Sequence, residues 1–188
     1  MISGRKRGLF VISCSLSVVL ALGIPFSKAA DTEDILTGRI LKIGTQAPVF
    51  STKGLEGEVF ELSQHISKGP VILFFWSFFC GPCREEMPIL QKIYEDVGKD
   101  RVTFVGVNLD GSKLGNAIGK FMQDGGLDFT VVFDELDGLE YKIADPYGVT
   151  GTPTVYAIDL EGKVSFSTVG KLEPEELKTV LMNSLGGS

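Results

Sequence analysis

The stretch Pro70-Val71-Ile72-Leu73-Phe74-Phe75-Trp76-Ser77-Phe78-Phe79-Cys80-Gly81-Pro82-Cys83 decides how this chain is read. From Pro70 to Trp76 it is apolar without alternation and bounded by turn signals, the pattern of a short central strand buried on both faces. The two cysteines follow at once. Pro82 fits the first turn of a helix predicted to reach about Val97, because Met87, Leu90, Ile93, Tyr94 and Val97 recur at helical spacing. Pro88 is expected to kink that helix. A Cys-x-x-Cys pair at the junction of a buried strand and a helix start has a physical meaning of its own. The helix start offers partial positive charge and free backbone N–H groups, which favour a thiolate. Cys80, at the exposed edge of the turn, is the expected nucleophile. Cys83, one turn inward, is placed to attack a mixed disulfide held at Cys80 and release the partner.

Outward from this stretch, strands and helices alternate. Residues 49–51 and 59–62 are short strand candidates around Gly54 and Gly57, a hairpin by its turn residues. Residues 102–108 predict a second central strand, residues 112–123 a helix stopped by Gly125-Gly126, and residues 129–133 another strand. A helix is expected over residues 136–143. Residues 152–159 and 163–168 predict two strands joined by the tight turn Leu160-Glu161-Gly162, and residues 174–185 a closing helix. The order implies an α/β fold: a mixed central sheet with helices on both faces, an amino-terminal β-hairpin and a central α/β insertion.

Residues 1–29 carry a basic start (Arg5, Lys6, Arg7), an apolar run and a small-residue site at Ser27-Lys28-Ala29-Ala30, the layout of a secretory signal. The run is also long enough to serve as an uncleaved membrane anchor. Cys14 reads as a small apolar residue within it. Residues 30–44 form a polar lead and residues 45–188 the single domain. Cleavage would leave 14 Lys and Arg against 24 Asp and Glu, a formal charge of −10, which disfavours nucleic acid and acidic membranes as partners. Only two cysteines would survive. A disulfide stabilises chiefly by closing a long loop in the unfolded chain, so a pair this close in sequence serves chemistry better than stapling.

At Phe75-Trp76-Ser77-Phe78-Phe79-Cys80-Gly81-Pro82-Cys83 the sequence resembles the thioredoxin superfamily, and the likeness runs over nearly all of residues 45–185. The hairpin, Cys83-Arg84-Glu85-Glu86-Met87-Pro88, the extra helix and strand between about 112 and 133, and the run from Asp145-Pro146 to Thr152-Pro153-Thr154 resemble more narrowly its TlpA/ResA-type branch. That resemblance implies an extracytoplasmic thiol-disulfide oxidoreductase, in the bacterial periplasm or on the outer face of the cytoplasmic membrane. Members commonly reduce apocytochrome c or other exported thiols, and an upstream membrane electron donor is expected. It further implies that Pro153 is a cis-proline facing the disulfide and that Thr152 offers backbone hydrogen bonds to a substrate strand. Gly81, Pro82 and Trp76 complete the expected substrate-binding surface, with Phe79 where thioredoxins usually carry tryptophan. Ordinary thioredoxins place a buried acid six residues before the first cysteine, where this chain has Phe74. Glu86 matches the acid of the TlpA/ResA pattern and is the expected proton acceptor for Cys83. No cofactor and no metal is expected.

Two other readings compete. A peroxiredoxin-type peroxidase needs a proline seven residues and a Thr or Ser three residues before the reactive cysteine; Ser77 fits and Leu73 does not. Soft thiolates suit copper, so a copper-delivery protein of the same fold is the second. Such proteins usually space their cysteines wider and add a downstream histidine. The single histidine here, His65, is upstream and is expected on a short polar helix. Arg84 stands where haem attachment needs histidine, and a zinc site lacks its other ligands.

Overall fold

The computed structural model describes residues 40–186, so the expected signal and most of the lead lie outside the described residues. The first elements of the described residues are an antiparallel hairpin, β1 (Ser51–Lys53) and β2 (Val59–Glu61), and the short helix α1 (Leu62–Ile66). The hairpin's first strand starts two residues later than its sequence suggests, and Leu62 opens α1 instead of closing β2. Then come β3 (Val71–Trp76), α2 (Gly81–Val97), β4 (Thr103–Asn108), a 3-10 turn at Ser112–Leu114, α3 (Gly115–Asp124) and β5 (Thr130–Phe133). A second hairpin, β6 (Leu136–Asp137) and β7 (Glu140–Tyr141), leads to β8 (Thr154–Ile158), β9 (Val164–Val169) and α4 (Pro174–Gly186).

The central sheet has the order β5-β4-β3-β8-β9. Strands β3, β4 and β5 run parallel, β8 pairs antiparallel with β3, and β9 antiparallel with β8. This is the mixed sheet the sequence order implies. All six residues of β3 are buried, as an unalternating apolar run requires of a central strand. At about 1.5–3 kcal/mol per large apolar side chain, this strand alone contributes on the order of 10 kcal/mol of gross burial. Ile72, Phe74 and Trp76 face the layer holding α2, α3 and α4, where Met87, Leu90, Ile118, Leu177 and Leu181 are buried. Val71, Leu73 and Phe75 face the other layer, with Phe60, Leu62 of α1, Tyr147 and Tyr156. Helix α2 continues through the exposed Pro88. Among the described residues no helix is long and apolar enough to cross a membrane.

The helix expected over residues 136–143 is not formed; β6 and β7 stand there, paired Leu136 to Tyr141 and Asp137 to Glu140. Gly138 turns the chain at φ 69°, a left-handed conformation that glycine adopts without steric cost. Asp134 then captures the backbone that a helix would have used. Its carboxylate accepts the N–H of Ile143 at 3.0 Å and of Ala144 at 2.7 Å. Asp145 likewise accepts the N–H of Tyr141 at 2.8 Å.

Candidate active site

Cys80 is the residue before the first turn of α2, in extended conformation, and its sulfur accepts the backbone N–H of Cys83 at 3.2 Å. Pro82 occupies the first turn, where its missing N–H costs nothing. The two sulfurs are joined as a disulfide. Cys83 is wholly buried and Cys80 half-buried, so the Cys80 side is the more accessible of the two. Because β8 runs antiparallel beside β3, with Thr154 opposite Phe75, the loop preceding β8 arrives at the cysteines. There the Thr152–Pro153 bond is cis, and the carbonyl oxygen of Thr152 lies 3.6 Å from the Cys80 sulfur. Thr154 closes this loop by donating its hydroxyl to the Gly151 carbonyl at 2.8 Å.

A groove of about 500 Å³ runs beside the cis-proline, lined by Pro82, Glu85, Glu86, Ile89, Pro153 and Leu172. Glu86 is only 8% exposed, so it is not a solvated helix-surface residue. Its Oε1 accepts the Leu172 N–H at 2.8 Å, and its Oε2 is buried without a partner among the described residues. Burial pushes the carboxyl above the usual glutamate range, against the opposing pull of the Leu172 N–H and the Lys171 ammonium. Phe74, at the position of the missing thioredoxin acid, is wholly buried among apolar neighbours.

A model described as the AhpC/TSA family matches residues 43–167. The chain belongs to the AhpC/TSA family. Among curated members, the thiol-disulfide oxidoreductase ResA of Oceanobacillus iheyensis is 30% identical over 181 residues, covering 94% of this chain and 90% of that protein. ResA of Bacillus subtilis is 34% identical over 162 residues, 85% and 84% of the two chains. A solved structure described as a thiol:disulfide interchange protein DsbE from Chlorobium tepidum superposes with a TM-score of 0.63 at 36% identity, over 78% of this chain and 99% of that one. The chain has a thioredoxin-like fold and is a thiol-disulfide oxidoreductase.

Within this AhpC/TSA member the peroxidase signature stays half-filled. Leu73 is buried in β3, and the Ser77 hydroxyl is already engaged, donating to Asp110 at 2.8 Å and accepting from the Phe79 N–H at 3.2 Å. His65 lies on α1 as expected, stacked on Phe60 at 4.5 Å and 3.4 Å from the Thr103 hydroxyl. Thr103 begins β4, whereas the cysteines lie at the far, carboxyl end of the sheet's parallel strands, so the histidine does not join them.

Trp76 requires a correction. It is wholly buried, packs against Phe121, and presents no surface to a substrate. Its indole nitrogen lies where a side chain at Gly106 would stand, 3.0 Å from the position of a Cβ there. The exposed aromatic at the site is Phe79, 76% accessible. Sequence reading also missed Asp110, whose carboxylate holds the segment before Cys80, and Asn108, whose side chain holds Asp110. Their one signal was position: both lie at the carboxyl end of the strand next to β3, where open α/β sheets place their ligand sites.

Proposed function

We propose that this chain is an extracytoplasmic reductant of disulfides in exported proteins, apocytochrome c among them, acting through the Cys80-Gly81-Pro82-Cys83 dithiol. The thiolate of Cys80 attacks a substrate disulfide; that S–S bond breaks, one substrate sulfur leaves as a thiol, and a mixed disulfide forms at Cys80. Cys83 passes its proton to the Glu86 carboxylate and attacks the Cys80 sulfur. The second substrate thiol leaves and the Cys80–Cys83 disulfide forms. The substrate has gained two electrons and the dithiol has lost two, to be restored by an upstream membrane thiol donor. Thr152 and Pro153 hold the substrate strand against Cys80, while Gly81 and Pro82 form the surface it crosses.

The observation that carries this reading is the pairing of a half-exposed Cys80 with a wholly buried Cys83 at a helix start, beside the Thr152 carbonyl. Burial raises the carboxyl of Glu86 and so favours its protonated form, which suits a proton acceptor. Extracytoplasmic work is supported by the signal-like residues 1–29 and by the ResA relatives. In the test, the protein is assayed for reduction of insulin with dithiothreitol, and Cys83→Ser is offered disulfide substrates. Insulin reduction and adducts at Cys80 are expected. Inertness of both redox forms toward every substrate, or adducts formed first at Cys83 in the parent, would overturn it.

A further inference from the structure

Asp110 holds the turn that carries the nucleophile from outside it. Directly after β4, its Oδ1 accepts the Ser77 hydroxyl at 2.8 Å, and its Oδ2 accepts the Phe78 N–H at 2.6 Å and the Asn108 side-chain amide at 3.0 Å. The wholly buried Asn108 returns the contact by accepting the Asp110 N–H at 3.0 Å. Between them, Leu109 donates its N–H to the Trp76 carbonyl at 2.9 Å, and its own carbonyl accepts the Tyr141 hydroxyl at 3.2 Å. The loop is therefore pinned to β3 on one side and β7 on the other. Ser77 passes the constraint on: its Oγ accepts the Phe79 N–H at 3.2 Å and its carbonyl accepts the Cys80 N–H at 3.1 Å. Each backbone N–H from Phe78 to Cys80 thus ends on Asp110 or on Ser77, and Ser77 is itself tied to Asp110.

We propose that Asp110 is a positioning residue for the nucleophile, fixing the turn from Ser77 to Cys80 so that the Cys80 sulfur stays aimed at the start of α2. The inference rests on Cys80 being the attacking thiol. Hydrogen bonds to an ionised acceptor are roughly twice as strong as neutral ones, so a carboxylate suits the task. Without it, the Phe78 N–H and the Ser77 hydroxyl lose their acceptor and the turn gains freedom. The Cys80 sulfur then spends less time against the helix-start N–H groups, of which that of Cys83 lies at 3.2 Å. Its thiol becomes less acidic. A bond that only stabilised the fold would lower the melting temperature and leave the thiol of the folded protein unchanged.

The experiment follows alkylation of Cys80 by iodoacetamide in the reduced protein from about pH 5 to 10, located by mass spectrometry, in the parent, Asp110→Ala, Asp110→Asn and Ser77→Ala. Asp110→Ala is expected to slow alkylation at acid and neutral pH, about tenfold for each unit by which the thiol pKa rises, with the difference closing once both thiols are ionised. Asp110→Asn recovers most of the rate, because its carbonyl still takes the Phe78 N–H and its amide can donate to the Ser77 oxygen. Ser77→Ala slows the reaction in the same direction, and its effect does not add to that of Asp110→Ala, since the two share one bond. An Asp110→Ala protein that is folded and within about twofold of the parent at every pH overturns the proposal, as does a slowing equal at all pH values. If Asp110→Ala does not fold, a Ser77→Ala profile identical to the parent's overturns it. A parent whose Cys83 reacts first removes the exchange reading as well, which separates the two failures.

Discussion

Ionising Glu86 costs the folded protein free energy, because burial disfavours its charged form more than the Leu172 N–H and Lys171 favour it. Its native pKa lies above the unperturbed 4.5, so the folded state keeps this proton to higher pH than the unfolded chain does. The contribution is neutral below pH 4.5 and becomes a loss as pH rises from 4.5 through the raised native value. Glu86→Gln, which cannot ionise, should therefore gain melting temperature relative to the parent across that window and match it in more acid solution. The same variant should slow resolution of the mixed disulfide, at the low end of the 100- to 10,000-fold range of general bases or below, and leave the first attack by Cys80 less affected (range about that of known cases). Stopped-flow rates for both steps, with thermal melts from about pH 4 to 8, check the pair of effects. The sequence marks Glu86 only by helix spacing and family likeness, since a helix glutamate ordinarily faces water. What encloses it is Leu172, 86 residues away in the chain, a partner no local pattern reveals. Trp76 misled for the opposite reason: proximity to the cysteines in sequence says nothing about what packs on the face of β3 where a side chain falls, and on this face Phe121 and the helical layer cover the indole.

At the level of elements, the long apolar runs were legible because their period and length leave few alternatives: β3, β4, β8 and α2 stand where their patterns put them, within a residue or two. The short segment after β5 was not. Residues 136–143 hold neither a decisive helical nor a strand period, and the outcome rests on Asp134, a buried acid whose role is to accept backbone N–H groups. Replacing it by alanine leaves the donors of Ile143 and Ala144 buried without partners. At about 1–3 kcal/mol per orphaned donor, Asp134→Ala should cost about 3 kcal/mol or more in denaturant unfolding. Leu139, 97% exposed at the tip of the same hairpin, provides the contrast: Leu139→Asn should stay within about 0.5 kcal/mol of the parent.

Across the whole molecule, two tyrosines tie the amino-terminal approach of the chain to the sheet. The Tyr156 hydroxyl, on the central strand β8, accepts the Leu41 N–H at 3.0 Å and donates to the Tyr147 carbonyl at 2.6 Å, while Tyr147 donates to the Pro48 carbonyl at 2.9 Å. Burial pushes the Tyr156 phenol up to about 12 and that of Tyr147 higher still, so both remain donors at any ordinary pH. Tyr156→Phe should cost about 1–2 kcal/mol and speed hydrogen exchange at the Leu41 amide, with the cysteine chemistry unchanged.

The approach of Thr152 to Cys80 spans 72 residues of chain. Closing a loop of that length costs about 4 kcal/mol of chain entropy, and the cost falls due before the contact returns anything. The dithiol belongs to a local unit, β3 turning into α2, whereas the carbonyl and proline opposite it arrive with β8, the last strand but one. Synthesis proceeds from the amino terminus, so a growing chain carries Cys80 and Cys83 well before it carries the Thr152–Pro153 loop that packs against them. Such a chain also exposes the edge of β3 on which β8 will pair. The cysteine pair is thus complete early and its cover late, and in the interval between them the two sulfurs of a nascent chain lie more open than they do in the finished fold.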